Sequence, residues 1–257
     1  MGKNVRIIMT GSNETYKIFS GFYDIYVGKF NKDLKFYKSY CDKYDKIIEI
    51  GCGTGRILEY FLESGYTIEG LDVSQEMLDK AKAKLSKWIN TGKLKLFKHD
   101  FSSGKLDNKY DKALVSFYTF NYIIEKPAGF LRNVYESLNK NGSILMDLFY
   151  PDSLYDKTID NKWIDKEYTI DGNIVKIKDN RHVKDNMERR QQIFYINNRE
   201  IKINTDRKYY SPAEMKAFLK KTGFTDIELA LDYDLNGFSC IIDKNKLKKN
   251  YIIKAKK

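Results

Sequence analysis

The 257-residue chain has few of the residues that impose special constraints. Its three cysteines, Cys41, Cys52 and Cys240, are far apart and form no C-x-x-C pair, which excludes a disulfide scaffold and a thiolate zinc set. Reduced thiols in the cytoplasm are the plain expectation, and no metal is expected. No apolar run approaches the roughly 18 residues of a membrane span, so no membrane partner is expected. The opening stretch, Met1 to Lys17, lacks an apolar core of signal-peptide length, and Arg6 stands where a myristoylation signal has Ser or Thr. Only three prolines occur, Pro127, Pro151 and Pro212, and two of them bracket a stretch of different character.

Against these absences stand a hydrophobic content of 42%, enough for a sizeable core, and a net charge of +11. A basic balance raises nucleic acid or an anionic surface as a partner. More than half of the excess sits in residues 243–257, which hold seven lysines and one aspartate. That placement favours a solvated edge over a binding patch and disfavours a nucleic-acid partner.

The chain is organised around Lys46 to Gly55, KIIEIGCGTG. Ile47, Ile48 and Ile50 make a short β-branched run that reads as a buried strand. Gly51, Gly53 and Gly55 follow, then an amphipathic run. A strand, a glycine loop and a helix let backbone approach a ligand without a Cβ between them. Asp72 closes the next apolar run, where a carboxylate accepts from both hydroxyls of a ribose. The dinucleotide fingerprint G-x-G-x-x-G fails here, because Arg56 takes the place of its third glycine.

E-x-G-x-G-x-G with Asp72 resembles the first motifs of the class I S-adenosylmethionine-dependent methyltransferases. The Asp100-Phe101 pair and a final Y-S-P-x-E-M helix followed by G-F extend the resemblance to most of the chain. It implies S-adenosylmethionine as cofactor and S-adenosylhomocysteine as product. The loop Gly51, Cys52, Gly53, Thr54, Gly55 would line the methionine part, and Glu49 would act on its amino group or on the loop backbone. Asp72 would hold the ribose, with Val73 and Met77 against the adenine. Asp100 would accept from the adenine amino group, and Phe101 would offer its backbone N–H. Phe117 and Tyr122 would border the cofactor. Tyr16 or Tyr23, in an aromatic N-terminal segment, would lie near it too, although such aromatics equally fit the inner face of a helix.

Strands and helices alternate to Phe149 and resume after Tyr210. Strands are expected near Lys46–Ile50, Thr67–Asp72, Leu94–Phe97, Lys112–Phe117, Ser143–Phe149, Asp226–Leu231 and Tyr251–Ala255. One long helix is expected from Ser74 to Asn90, others from Pro127 and Pro212. This predicts an α/β fold, a Rossmann-like, doubly wound, mostly parallel seven-stranded sheet. Residues 1–149 and 211–257 would form the core, with a helical cap at 13–44. Residues 150–210 alternate apolar and polar, with turn residues at Asp171-Gly172, Asp185-Asn186 and Asn197-Asn198, and predict an inserted antiparallel sheet of about four strands.

The segment after the fourth strand, SFYTFNY, decides among acceptors. It lacks the D/N-P-P-Y/F sequence of base-modifying amino methyltransferases and a nucleophilic cysteine. Asn121-Tyr122 with an inserted sheet resembles sugar and glycine N-methyltransferases. That implies a small-molecule methyl acceptor, most simply an amine, on a monomer or homodimer. An RNA or protein methyltransferase and a non-catalytic cofactor-binding protein are the alternatives. Tyr23, Asn121 and His182 are the candidate catalytic residues. Trp163, Arg181, Arg190 and Tyr195 are further candidate contacts.

Overall fold

A computed structural model describes residues 30–151, 160–170, 173–196, 199–234, 236–240, 247 and 250–257. Tyr16, Tyr23 and the first aromatic helical pattern lie outside these residues.

The central strand is β1 (Ile47–Ile50), buried along its whole length. It pairs in parallel with β2 (Ile68–Asp72) and β4 (Tyr110–Val115). Beyond β2 lies β3 (Leu94–Lys98), and beyond β4 lies β5 (Leu138–Phe149), again parallel. Parallel neighbours need crossovers. Helices α2 (Arg56–Glu63), α3 (Gln75–Lys84), α4 (Ser86–Asn90) and α5 (Pro127–Ser137) supply them. After α6 (Pro212–Thr222), β10 (Thr225–Leu231) and β11 (Asn250–Lys256) complete a seven-stranded sheet, with β11 antiparallel to both β5 and β10.

Both faces of this sheet are buried, and the two-residue period of a strand sorts its side chains between two cores. Ile48, Ile50, Val115 and Met146 pack toward Phe130, Leu131, Met215 and Leu219. Ile47, Leu114, Leu145 and Ile252 pack toward Phe61, Leu58 and Phe36 of α1 (Lys32–Ser39). Glu49, Ser116 and Asp147 continue the second set, so three polar side chains share the α1–α2 side of the sheet.

The expected single helix to Asn90 is two. Leu85 leaves helical geometry at ψ 17°, and the tighter Trp88 N–H to Leu85 C=O bond of 3.0 Å winds the next turn. The buried Leu85 packs over Gly55 at the break. Ser74 caps α3, accepting from the Met77 N–H at 3.2 Å. Ser211 and Glu214 form a full capping box on α6, and Gly223 closes it at φ 110°.

Between β5 and α6 runs a separate four-stranded antiparallel sheet of β6 (Ile164–Ile170), β7 (Asn173–Lys184), β8 (Met187–Ile196) and β9 (Arg199–Lys208). Asp185 and Asn186, at φ 52° and 62°, make the β7–β8 turn. Ile177, Asp179, Gln192, Ile203 and Arg207 are buried on one face of it, whereas His182, Arg189 and Asp206 are exposed on the other.

Candidate functional site

The loop after β1 is held by hydrogen bonds to β2. The N–H groups of Gly51 and Cys52 both donate to the Leu71 carbonyl at 2.9 Å. The Gly53 N–H donates to Asp72 Oδ2 at 2.9 Å, and the Ser74 N–H to Asp72 Oδ1 at 2.8 Å. Gly51 sits at φ 75°, and a Cβ there would come within 2.6 Å of Thr119. A side chain at this position would therefore meet both backbone strain and the turn after β4. Burial raises the Asp72 carboxyl above its ordinary value, and N–H bonds from Ser74, Gly53 and Val73 oppose the shift.

Glu49 is buried at 2% exposure at the carboxyl end of β1. Its Oε1 accepts from Ser116 at 2.6 Å, while Oε2 has no hydrogen-bond partner among the described residues. Burial pushes its pKa up to about 8, against the opposing pull of Ser116 and Arg56. Arg56 is itself bound twice to the buried Asp33, at 2.9 and 2.6 Å, and reaches the Phe30 carbonyl at 3.0 Å. Asp33 and Asp72 further disfavour charge on Glu49, and Asp33 also acts on Asp147. Four carboxyl groups thus gather at this end of the sheet, and Arg56 is the cation acting on Glu49. Among the described residues no His, Cys, Asp and Glu cluster is arranged to hold a metal ion.

The turn after β4 is strained. Phe117 and Tyr118 have φ of 50° and 63°. Left-handed backbone at such residues costs about 1–3 kcal/mol each and gathers at functional sites. Here it aims the Phe117 N–H at the Tyr37 hydroxyl and the Tyr118 N–H at Asp147. The Phe117 ring stacks on Tyr118 and lies under the Arg56 guanidinium at 5.2 Å.

Asn121, expected as a catalytic candidate, follows in a 3-10 turn (Thr119–Tyr122), where its amide is committed to backbone. The residue is fully buried. Its amide nitrogen donates to the carbonyls of Phe149 at 3.0 Å and Lys208 at 2.6 Å, and its oxygen accepts the Phe149 N–H at 2.9 Å. Both donors are taken by backbone, so Asn121 stitches the turn to β5 and β9. Asn121→Ala is expected to lower unfolding free energy by about 2–4 kcal/mol, since it leaves buried backbone groups unpaired. Denaturant unfolding checks this.

His182 also lies elsewhere than expected. It sits on the exposed face of β7, opposite to the face of Arg207, and its Nδ1 contacts Asp160 Oδ1 at 3.1 Å. No hydrogen bond or ion pair joins it to Glu49 or Asp72. Trp163 lies in a shallow outer groove with Gln191, Ile193 and Asn204, and Tyr195 shares its face. Arg181 and Arg190 lie on the opposite face, both bonded to Asp179.

Other candidates group at the strand ends. Asp100 accepts the Ser102 N–H at 2.7 Å in an exposed turn. The Phe101 side chain is buried against Phe130. Val73 and Tyr122 are exposed, whereas Met77 is buried at the start of α3. Asp33, Ser116, Asp147, Tyr37 and Tyr233 escaped the sequence reading. The sequence signal for Asp147 was an acid inside the apolar run SILMDLF.

A methyltransferase-domain family model matches residues 48–144. An uncharacterised methyltransferase of Bacillus mycoides is 31% identical over 120 residues, which are 46% of this chain and 54% of that protein. The chain thus spans about half the length of the curated relatives it matches. An S-adenosylmethionine-dependent methyltransferase from Clostridium acetobutylicum superposes with a TM-score of 0.76 at 20% identity, covering 94% of this chain and 98% of that one. The sugar N-methyltransferase KedS8 from Streptoalloteichus gives 0.73 at 14% identity, covering 100% and 98%. The matched residues include the glycine loop, Glu49, Asp72 and Asp100, but neither Asp33 nor Asp147. Residues 48–144 thus resemble a methyltransferase domain, in a chain whose Rossmann-like fold is shared with solved S-adenosylmethionine-dependent methyltransferases.

Proposed function

We propose that this protein transfers a methyl group from S-adenosylmethionine to a small polar acceptor, most simply an amine nitrogen. The observation that carries this reading is the Oε2 of Glu49, without a partner among the described residues and buried beside Asp33 and Asp72, with Arg56 already bound to Asp33. A site with surplus acid and an open acceptor atom suits a cationic ligand. S-adenosylmethionine carries an ammonium and a sulfonium, whereas a dinucleotide carries two phosphates that these acids would repel.

The residues fit the group. Asp72 retains lone pairs for ribose hydroxyls after accepting two backbone N–H groups. The Gly51–Gly55 loop would lie against the methionine part, and Glu49 would accept from the ammonium. Asp100, Phe101 and Val73 would border the adenine, with Phe117 and Tyr122 also beside the cofactor. When bound, the cofactor supplies a methyl group already activated by its positive sulfur. The chain then has to hold the acceptor in line and exclude water, and positioning of this kind supplies about 7–11 kcal/mol. An amine acceptor is supported by the absence of a D/N-P-P-Y/F sequence after β4 and by the fold shared with a sugar N-methyltransferase.

The test has two parts. Calorimetric titration with S-adenosylhomocysteine is expected to show saturable binding. Incubation with S-adenosylmethionine and a panel of amines, amino sugars and small acids is expected to yield S-adenosylhomocysteine with one amine class. Absence of binding defeats the cofactor assignment. Binding with methyl transfer only to RNA or protein defeats the small acceptor.

A further inference from the structure

We propose that Arg207 binds an acid group of the methyl acceptor, so that the acceptor is an amine that also carries a carboxylate or a phosphate. The inference rests on the methyl-transfer reading above and names the acceptor class for that same site. The Asn121 amide, bonded to the carbonyls of Phe149 and Lys208, seats the end of β9 on the turn after β4. The Arg207 guanidinium lies on the Phe149 ring, 4.2 Å from its centroid. From the turn, the Tyr118 ring meets Phe149 edge-on at 5.6 Å. That turn begins at Ser116, which donates to Glu49 at 2.6 Å. A continuous set of contacts therefore runs from Arg207 to the carboxyl end of β1, where the cofactor is assigned.

Glu188 Oε1 lies 2.7 Å from the Arg207 Nε, and its Oε2 accepts from Nη2 at 3.0 Å. The Tyr209 hydroxyl donates to the same Oε2. Glu188 thus takes one edge of the planar guanidinium. The end-on edge, Nη1 with the second Nη2 proton, has the geometry to hold another oxyanion bidentately. Among the described residues no second acid pairs with Arg207. A further donor stands beside it. Asn250 is paired with Phe149 across β5 and β11, so their side chains share a face, with Cβ atoms about 4.5–5.5 Å apart. Asn250 is 6% exposed, and its amide nitrogen has no hydrogen-bond partner among the described residues. A buried donor left unmet is costly, and an oxygen of the ligand would meet it.

The charge of this face selects an anion. Lys166, Arg181 and Arg190 gather on Asp179 at 2.5, 3.0 and 2.7 Å, on the same face of the four-stranded sheet as Arg207. With Arg207 and Glu188, the described side chains of the face carry four cations against two acids. The strand ends carry the opposite surplus. An acceptor with an amine at one end and an acid group at the other is oriented by both fields, acid toward Arg207 and amine toward the strand ends. A diamine would be repelled from the cationic face.

Matched pairs test this. Each amino acid of the panel is compared with its amide, and each amino sugar or amino alcohol with its phosphate. Turnover is measured, and so is calorimetric binding to the S-adenosylhomocysteine complex. The acid-bearing member of at least one pair is expected to show kcat/KM about 30-fold or more above its neutral partner. Whether the preference appears in the carboxylate or the phosphate pairs identifies the acid. Arg207→Gln combined with Glu188→Gln leaves no buried acid alone. It should bring the ratio within about threefold, chiefly by raising KM, while S-adenosylhomocysteine affinity stays within about twofold. Asn250→Leu should raise KM for the acid-bearing acceptor about fivefold without lowering the melting temperature, which loss of a structural amide would not do. Neutral amines used as well as acid-bearing ones, or a ratio that survives the double variant, overturns the proposal and leaves methyl transfer standing. Binding of acid-bearing compounds that the double variant abolishes, without methyl transfer to any of them, upholds the anion site and defeats the transfer reading. Binding of none of them overturns the proposal.

Discussion

Replacing Asp72 by alanine is expected to weaken S-adenosylhomocysteine binding by at least about 100-fold, beyond the range of a titration that resolves the unaltered protein. Asp72 acts twice. Its two oxygens accept the Gly53 and Ser74 N–H groups, which fixes the loop against the start of α3. Its remaining lone pairs face the place assigned to the ribose. Hydrogen bonds to a charged group contribute about 1.5–3 kcal/mol each, so losing two ribose contacts alone corresponds to about 3–6 kcal/mol. Asp72→Asn separates the two roles. It keeps one acceptor oxygen for the loop but turns an NH₂ toward the other N–H. The asparagine variant should therefore fold with modest loss and still bind poorly. Thermal unfolding without ligand reports the loop, and calorimetry reports the ribose. An alanine variant that binds within about threefold of the parent would place the ligand's sugar elsewhere.

The parts of this site that were legible in the sequence are local. A strand, three glycines and a helix within ten residues can be read because each residue's conformation depends on its neighbours: Gly51 and Gly53 take positive φ as such a loop requires. The two sheets were legible from period alone. What was hidden is what distant segments do to one another. Asp33 meets Arg56 across 23 residues, and Tyr37 meets Asp147 across 110. Arg56 was read only as a missing glycine, although it clamps the helical cap to α2 through Asp33. The break at Leu85 was hidden too, and so was the contact Leu85 makes with Gly55, thirty residues back. Asn121 and His182 have surroundings the sequence did not reveal, for different reasons. A polar residue in an acceptor segment serves a ligand or the backbone equally well, and the backbone took all of Asn121's donors. For His182, alternation fixes which residues share a face but not which face turns inward, because both faces of β7 and β8 carry charge.

Affinity for S-adenosylhomocysteine is expected to rise with pH between about 5 and 8, approaching tenfold per unit, and to level off above. The sign follows from Glu49. Its pKa in the free protein is about 8, so at pH 7 it is mostly protonated. An ammonium opposite Oε2 favours the ionised form, so binding expels a proton and is promoted by alkali. Glu49→Gln removes that proton and should give weaker, pH-independent binding over the same window. The same shift sets the stability of the unliganded protein. A carboxyl whose folded pKa lies above its unfolded value contributes stability that is complete below the unfolded value and lost as pH rises through the folded one. For Glu49 the loss runs from 4.5 to about 8, and Asp147 adds its own from 3.8 to about 6. The melting temperature should therefore fall across this range without ligand, less so in Glu49→Gln, and ligand should restore it most at the alkaline end. Calorimetry in buffers of different ionisation enthalpy counts the released proton directly. A flat affinity with no proton released would mean that no cation meets Glu49, and the surplus of acid at the strand ends would need another counterpart.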